Sequence, residues 1–221
     1  MVEHQNKLIN RIQLNKMAID KLARFSLSYK MKRRALLGIM FSYDQVTFKH
    51  SRRVKKIAST IASMCGIRND DFEVGAELHD IGKILIPKRL LKVKSYRDIT
   101  SEEKRQRDSH IEKSVEILSM LGFNELVIKL AQYHETPFKE IDNEQSLYFN
   151  GYFLPSILMI ADILISAAEN ATKYNHDNFR SIFMEVIKKS TEKIIQPELT
   201  ERFIDFVSEH ESWILQILNR R

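Results

Sequence analysis

The chain has 221 residues, 43% hydrophobic and 29% charged, with only 6 Gly and 4 Pro. That describes a soluble globular protein able to bury a core, and abundant helix formers point to an all-α fold. Its one cysteine, Cys65, excludes an internal disulfide. The net charge of +6 is lopsided. Residues 1–40 carry Lys7, Arg11, Lys16, Lys21, Arg24, Lys30, Lys32, Arg33 and Arg34 against Glu3 and Asp20, a net of +7, so residues 41–221 total −1. Nucleic acid or an acidic surface could pair with that basicity. The preferred reading is a solvated basic helix pair that packs on the body or on a second copy. Nucleic acid is therefore not an expected partner, and a homo-oligomer through the N-terminal helices is one of the two packings left open.

In chain order, residues 5–27 show a loose helical pattern, with Leu8, Ile12, Ile19 and Leu22 on one face. The start is polar and lacks the apolar core of a signal peptide. A second helix is expected over 31–43, after the basic run from Lys30 to Arg34. A third, over 45–65, carries Val54, Ile57, Ala58, Ile61, Ala62 and Cys65 at helical spacing. Gly66 stops it, and His50 lies one turn before Val54. Asn69 or Asp70 caps a helix over 71–80 whose last turn delivers His79-Asp80. Ile84 to Pro87 then reads as an extended turn.

Thr100, with Glu103 three residues on, forms a capping box for a helix that carries His110 and ends near Gly122. A helix from Asn124 finishes at Tyr133-His134-Glu135. Residues 136–153 are a long loop of the kind used as a lid or binding loop. The helix over 154–171 is the most apolar. Its Phe153 to Ala168 stretch holds Pro155 and Asp162 and falls short of the roughly 20 residues a membrane span needs. It reads as a buried core helix, and the chain as cytoplasmic. Two amphipathic helices, over 177–194 and 198–218, complete a division into a basic extension, 1–43, and a domain, 44–221.

The chemistry concentrates in Glu77-Leu78-His79-Asp80-Ile81-Gly82-Lys83. A neighbouring imidazole and carboxylate are ligands for divalent metals, and Lys83 adds a cation suited to a phosphate. Asp162 stands in an apolar helix, where a bare carboxylate would cost several kcal/mol. It must be paired, protonated or on a metal. His50, His110 and His134 each lie on or at the end of an apolar helix, as core histidines or as ligands. His4, His176 and His210 read as surface residues. Inward residues from several helices can build a polynuclear metal site in a bundle.

From His50 to Phe206 the sequence resembles the HD-domain phosphohydrolases, and within them the HD-GYP branch. The matching segments are His50-Ser51-Arg52-Arg53-Val54, Glu77 to Ile84, Ile86-Pro87, His110 with Ile117-Leu118, His134-Glu135, Ala161-Asp162, and Gln196-Pro197-Glu198-Leu199 with Phe203 and Phe206. The resemblance implies a helical bundle around a metal centre. It implies His50, His79, Asp80 and Asp162 as ligands of a first metal. Asp80 would bridge to a second, also held by His110 and His134. Asp80 and Lys83 take the catalytic roles, Lys83 by holding the substrate phosphate. The metal is a divalent Fe, Mn, Zn or Ni, and the substrate a nucleotide or cyclic dinucleotide, chiefly cyclic di-GMP.

The departures are specific. Tyr133 stands where the branch has a His, so the second metal loses a ligand. The Gly-Tyr-Pro signature is replaced by Thr136-Pro137-Phe138. Ile165 occupies the acidic position three after Asp162, and Ala171 that of an Arg. An active phosphodiesterase is the first reading. A regulatory module that keeps metal or nucleotide binding without turnover is the alternative.

Overall fold

The computed structural model describes residues 2–93, 96–141, 144–170, 179, 181–184, 187 and 196–219. Apart from one two-stranded hairpin, the regular elements described are helical, so the fold is all-α. They fall into two compact units, one of Met1–Lys49 with Leu78–Gln132, the other of His50–Glu77 with Tyr133–Arg221. No helix among the described residues is long and apolar enough to cross a membrane.

In the first unit, helices α1 (Val2–Arg24) and α2 (Tyr29–Tyr43) pack against a 3-10 turn, Ile81–Leu85. Ile19, Leu36, Met40 and Tyr43 are buried. Polar contacts fix the same packing. Asn15 Nδ2 donates to the Ile84 carbonyl at 2.9 Å and Tyr43 Oη to the Ile86 carbonyl at 2.6 Å. Burial first, and Asp44 second, push the Tyr43 phenol up to about 12, so it stays a donor. The basic N-terminal helices thus satisfy carbonyls of the very turn that follows His79-Asp80.

Helix α3 (Gln45–Met64) ends as its periodicity predicts. Gly66 adopts a left-handed φ of 71°, which glycine reaches without steric cost. Cys65 is buried and free, and burial pushes its thiol up, in keeping with a core residue. Asn69 Oδ1 accepts from Phe72 N at 2.9 Å and caps α4 (Asp70–Leu78).

Here the sequence expectation needs correcting. Helix α4 stops at Leu78, so His79-Asp80 lie just beyond it; Ile84 and Leu85 belong to the 3-10 turn, while Ile86, before Pro87, is extended as expected. Helix α5 (Lys88–Leu91) follows Pro87. The capping box forms: Glu103 N donates to Thr100 Oγ1 at 3.2 Å and Thr100 N to Glu103 Oε2 at 2.9 Å. It opens α6 (Ser101–Asp108), but the expected single helix breaks at Ser109, and His110 begins a separate helix, α7 (His110–Met120). The 3-10 turn lies against α7, and Gly82 N donates to Ser114 Oγ at 2.8 Å. Helix α8 (Glu125–Tyr133) follows.

In the second unit the expected loop contains a one-turn helix, α9 (Phe138–Ile141), and a hairpin of β1 (Tyr148–Phe149) and β2 (Tyr152–Phe153). Tyr148 pairs with Phe153 and Phe149 with Tyr152. Its turn is Asn150-Gly151, at φ 51° and 80°, the residues a tight hairpin requires. Helix α10 (Leu154–Asn170) is the apolar one, and α11 (Pro197–Asn219) the last. The helix expected over 177–194 lies mostly outside the described residues, as does Ala171.

Gln196, from the tail motif, clasps the hairpin. Its Oε1 accepts from Phe153 N at 2.6 Å, its Nε2 donates to the Gly151 carbonyl at 2.8 Å, and its N donates to Ser156 Oγ at 3.1 Å. Gln196→Ala should cost about 2 kcal/mol, since it strands the buried Phe153 N–H and removes a partner from the carbonyl of the exposed Gly151. Chemical denaturation measures this, and a loss under about 1 kcal/mol would sink the assignment.

Candidate functional site

The first unit builds one group of polar side chains around Asp80. His79 and Asp80 are 0% and 1% exposed, the least exposed ionisable pair in the motif. His79 Nε2 lies 3.3 Å from Asp80 Oδ2, and His110 Nε2 lies 3.5 Å from Oδ1. The break at Ser109 makes His110 the first residue of α7 and aims its ring at Asp80. Its Nδ1 sits 3.0 Å from the Arg107 carbonyl, which can only accept. The neutral ring therefore carries its proton on Nδ1 and turns the Nε2 lone pair to the carboxylate. Donors held about 2.1 Å from one cation stand about 3–3.5 Å apart. The spacings around Asp80 fit that, and the N/O donor set suits a divalent transition metal.

Lys83 Nζ donates to Asp80 Oδ2 at 2.5 Å. Burial alone would push the Asp80 carboxyl up. The Lys83 ammonium first, then His79 and His110, outweigh it and hold the group well below the usual carboxylate range. Asp80 is thus an anion in an interior where only compensating cations make that stable. The Lys83 side chain remains about a quarter exposed, at 27%, so its ammonium is within reach of an incoming anion.

The second unit builds a different group. His50 is buried on α3, and its Nε2 lies 2.8 Å from Asp162 Oδ1 on α10. Asp162 is not fully enclosed, as the apolar helix suggested, but 18% exposed at its side chain, with Ser166 Oγ donating to Oδ1 at 3.3 Å. The opposite nitrogen of His50, Nδ1, faces Glu169 Oε2 at 2.9 Å. Arg53 Nη1 donates to Glu169 Oε1 at 2.8 Å, and its Nη2 to the Leu218 carbonyl at 3.3 Å. Burial raises the Glu169 carboxyl, but His50 and Arg53 bring it below its ordinary value. His134 is 1% exposed, with Nε2 3.8 Å from Glu135, and Tyr133 beside it is half-buried.

The structure thus joins His79, Asp80, Lys83 and His110 in one unit and His50 with Asp162 in the other. Glu169 escaped the sequence reading. The signal was present, since it stands seven residues after Asp162 and so on the same helical face. Ile165, where an acidic residue was expected, is a core residue at 0% exposure.

Residues 47–150 match the HD domain family model. No curated protein matches the chain. Among solved structures, the HD domain of the phosphodiesterase PgpH from L. monocytogenes, in complex with cyclic-di-AMP, is similar with a TM-score of 0.60 and 21% identity, over 83% of this chain and 92% of that one. A second structure of that HD domain has the same TM-score and identity, over 83% of this chain and 94% of that one. At that identity the likeness shows a shared helical fold.

Proposed function

We propose that the protein is a metal-dependent phosphohydrolase that acts on a cyclic dinucleotide. The observation that carries this reading is the buried Asp80 anion faced by His79, His110 and Lys83. His50, His79, Asp80 and Asp162 are proposed as ligands of a well-held metal, and Asp80, His110 and His134 of a weaker second one, as the HD resemblance implies. A divalent metal bound there supplies Lewis acidity toward a phosphoryl oxygen and activation of water near neutral pH. The Lys83 ammonium first, then His79, favours Asp80 as the anion that a metal ligand must be. Lys83 exchanges its contact with Asp80 for a substrate phosphate and offsets the charge that develops on it. Residues 1–43 are read as an extension to a cytoplasmic domain of residues 44–221, with helices suited to self-association.

The HD-GYP resemblance favours cyclic di-GMP as substrate, while the similar PgpH domain was crystallised with cyclic-di-AMP. Both belong in the test. Protein purified without chelators should hold at least about one transition metal per chain and hydrolyse one of the two. Tyr133→His should raise the metal content toward about two. A metal-free chain overturns the reading. Retained metal without hydrolysis of either nucleotide transfers it to the regulatory module, which Tyr133 in place of an imidazole favours.

A further inference from the structure

We propose that Glu169 is a positioning residue for His50, and that Arg53 holds it in that role. The inference rests on the reading of His50 as a metal ligand. Helix α3 presents His50 and Arg53 three residues apart, and α10 presents Asp162 and Glu169 seven apart, so each pair shares one helical face. The imidazole lies between the two carboxylates, 2.9 Å from Glu169 by Nδ1 and 2.8 Å from Asp162 by Nε2.

The Glu169 carboxylate is divided. Oε2 faces His50 and Oε1 accepts from Arg53 Nη1. With both oxygens engaged, the carboxylate cannot rotate without breaking a contact. Arg53 is anchored in turn on the Leu218 carbonyl near the end of α11. A carboxylate that accepts from one ring nitrogen fixes the tautomer and directs the other nitrogen's lone pair. Here it directs Nε2 toward Asp162, its fellow ligand. Glu169 touches neither the metal nor the substrate in this account; it acts through His50.

An ion pair that merely ties α3 to α10 would use Arg53 and Glu169 alone. The contact to His50 is what distinguishes a positioning role. The test is Mn2+ affinity of the full-length protein, stripped and reloaded in competition with a chromophoric chelator, beside the melting temperature of the metal-free form. Glu169→Ala should weaken Mn2+ binding by about 10–100-fold. Glu169→Gln keeps an oxygen that accepts from Nδ1–H and should recover part of that loss. Arg53→Met should lower the metal-free melting temperature while weakening Mn2+ less than Glu169→Ala does. Should Glu169→Ala fail to fold, Glu169→Gln against Arg53→Met carries the comparison, together with the ring 15N shifts of His50. Those shifts should report a protonated Nδ1 in the parent and in Glu169→Gln, and in any folded Glu169→Ala a proton moved to Nε2, where Asp162 still accepts.

Mn2+ affinity of folded Glu169→Ala within about threefold of the parent, or losses that track melting temperature across all three variants, would overturn the inference and leave the proposed function standing. A parent that takes up no Mn2+ overturns both.

Discussion

Gly82→Ala should destabilise the protein more than any other single-methyl change in the motif. A Cβ at this position would stand 2.0 Å from the His110 carbonyl oxygen and 2.6 Å from Ser114 N, both backbone atoms, and 2.8 Å from Ser114 Oγ. No rotamer change relieves a clash with backbone, so the 3-10 turn and the start of α7 must separate. The Gly82 N–H to Ser114 Oγ bond, 2.8 Å and buried, is lost with them. Overpacking of this kind costs about 3 kcal/mol or more. In a chain of this size that lowers the melting temperature by roughly 10 °C. Because His110 opens α7, its ring also leaves Asp80, so on the proposed function any second-metal occupancy should fall with stability. A thermal melt with metal analysis checks both, and a variant that melts within about 2 °C of the parent would refute the close packing.

Asp80→Asn should abolish tight metal binding and, on the proposed function, reduce hydrolysis by at least about 10³-fold. The amide is nearly the same size, so the packing survives. What disappears is the negative charge that His79, His110 and Lys83 surround at 3.3, 3.5 and 2.5 Å. On the proposed function an amide is too weak a ligand to hold the metal as the carboxylate does, and its NH2 group in place of Oδ2 would face the Lys83 ammonium, itself only a donor. In the metal-free protein the Lys83 ammonium loses its carboxylate partner but keeps access to water, so the fold should persist. The variant therefore separates chemistry from stability: circular dichroism unchanged, elemental analysis near zero, turnover gone. Asp80→Asn with full metal content would place the ligands elsewhere.

Much of the local architecture was legible before any coordinates. The Thr100–Glu103 capping box, the stop at Gly66 and the cap at Asn69 all follow from contacts within one or two turns of chain. Short-range rules describe such contacts well, because loop closure there costs little entropy. The Asn150-Gly151 hairpin was equally local, and its signal was present but read as loop. The apolar stripe of α10 announced a core helix, and it located Asp162 as a residue in need of a partner.

The sequence by itself determined that the fold is helical, that a capped helix leads to His79-Asp80, and which histidines stand on apolar faces. Tertiary structure alone decided the rest. His50 and Glu169 are 119 residues apart in sequence, and Arg53 and Leu218 165 apart, so no periodicity could pair them. The helix that carries His110 breaks at Ser109, where the 3-10 turn with Gly82 fits against the start of α7. Helical propensity does not foresee a neighbour that approaches so closely. Whether Asp162 was paired, protonated or metal-bound was likewise undecidable from α10 alone, because the cost of a carboxylate depends on what faces it, and here that is His50.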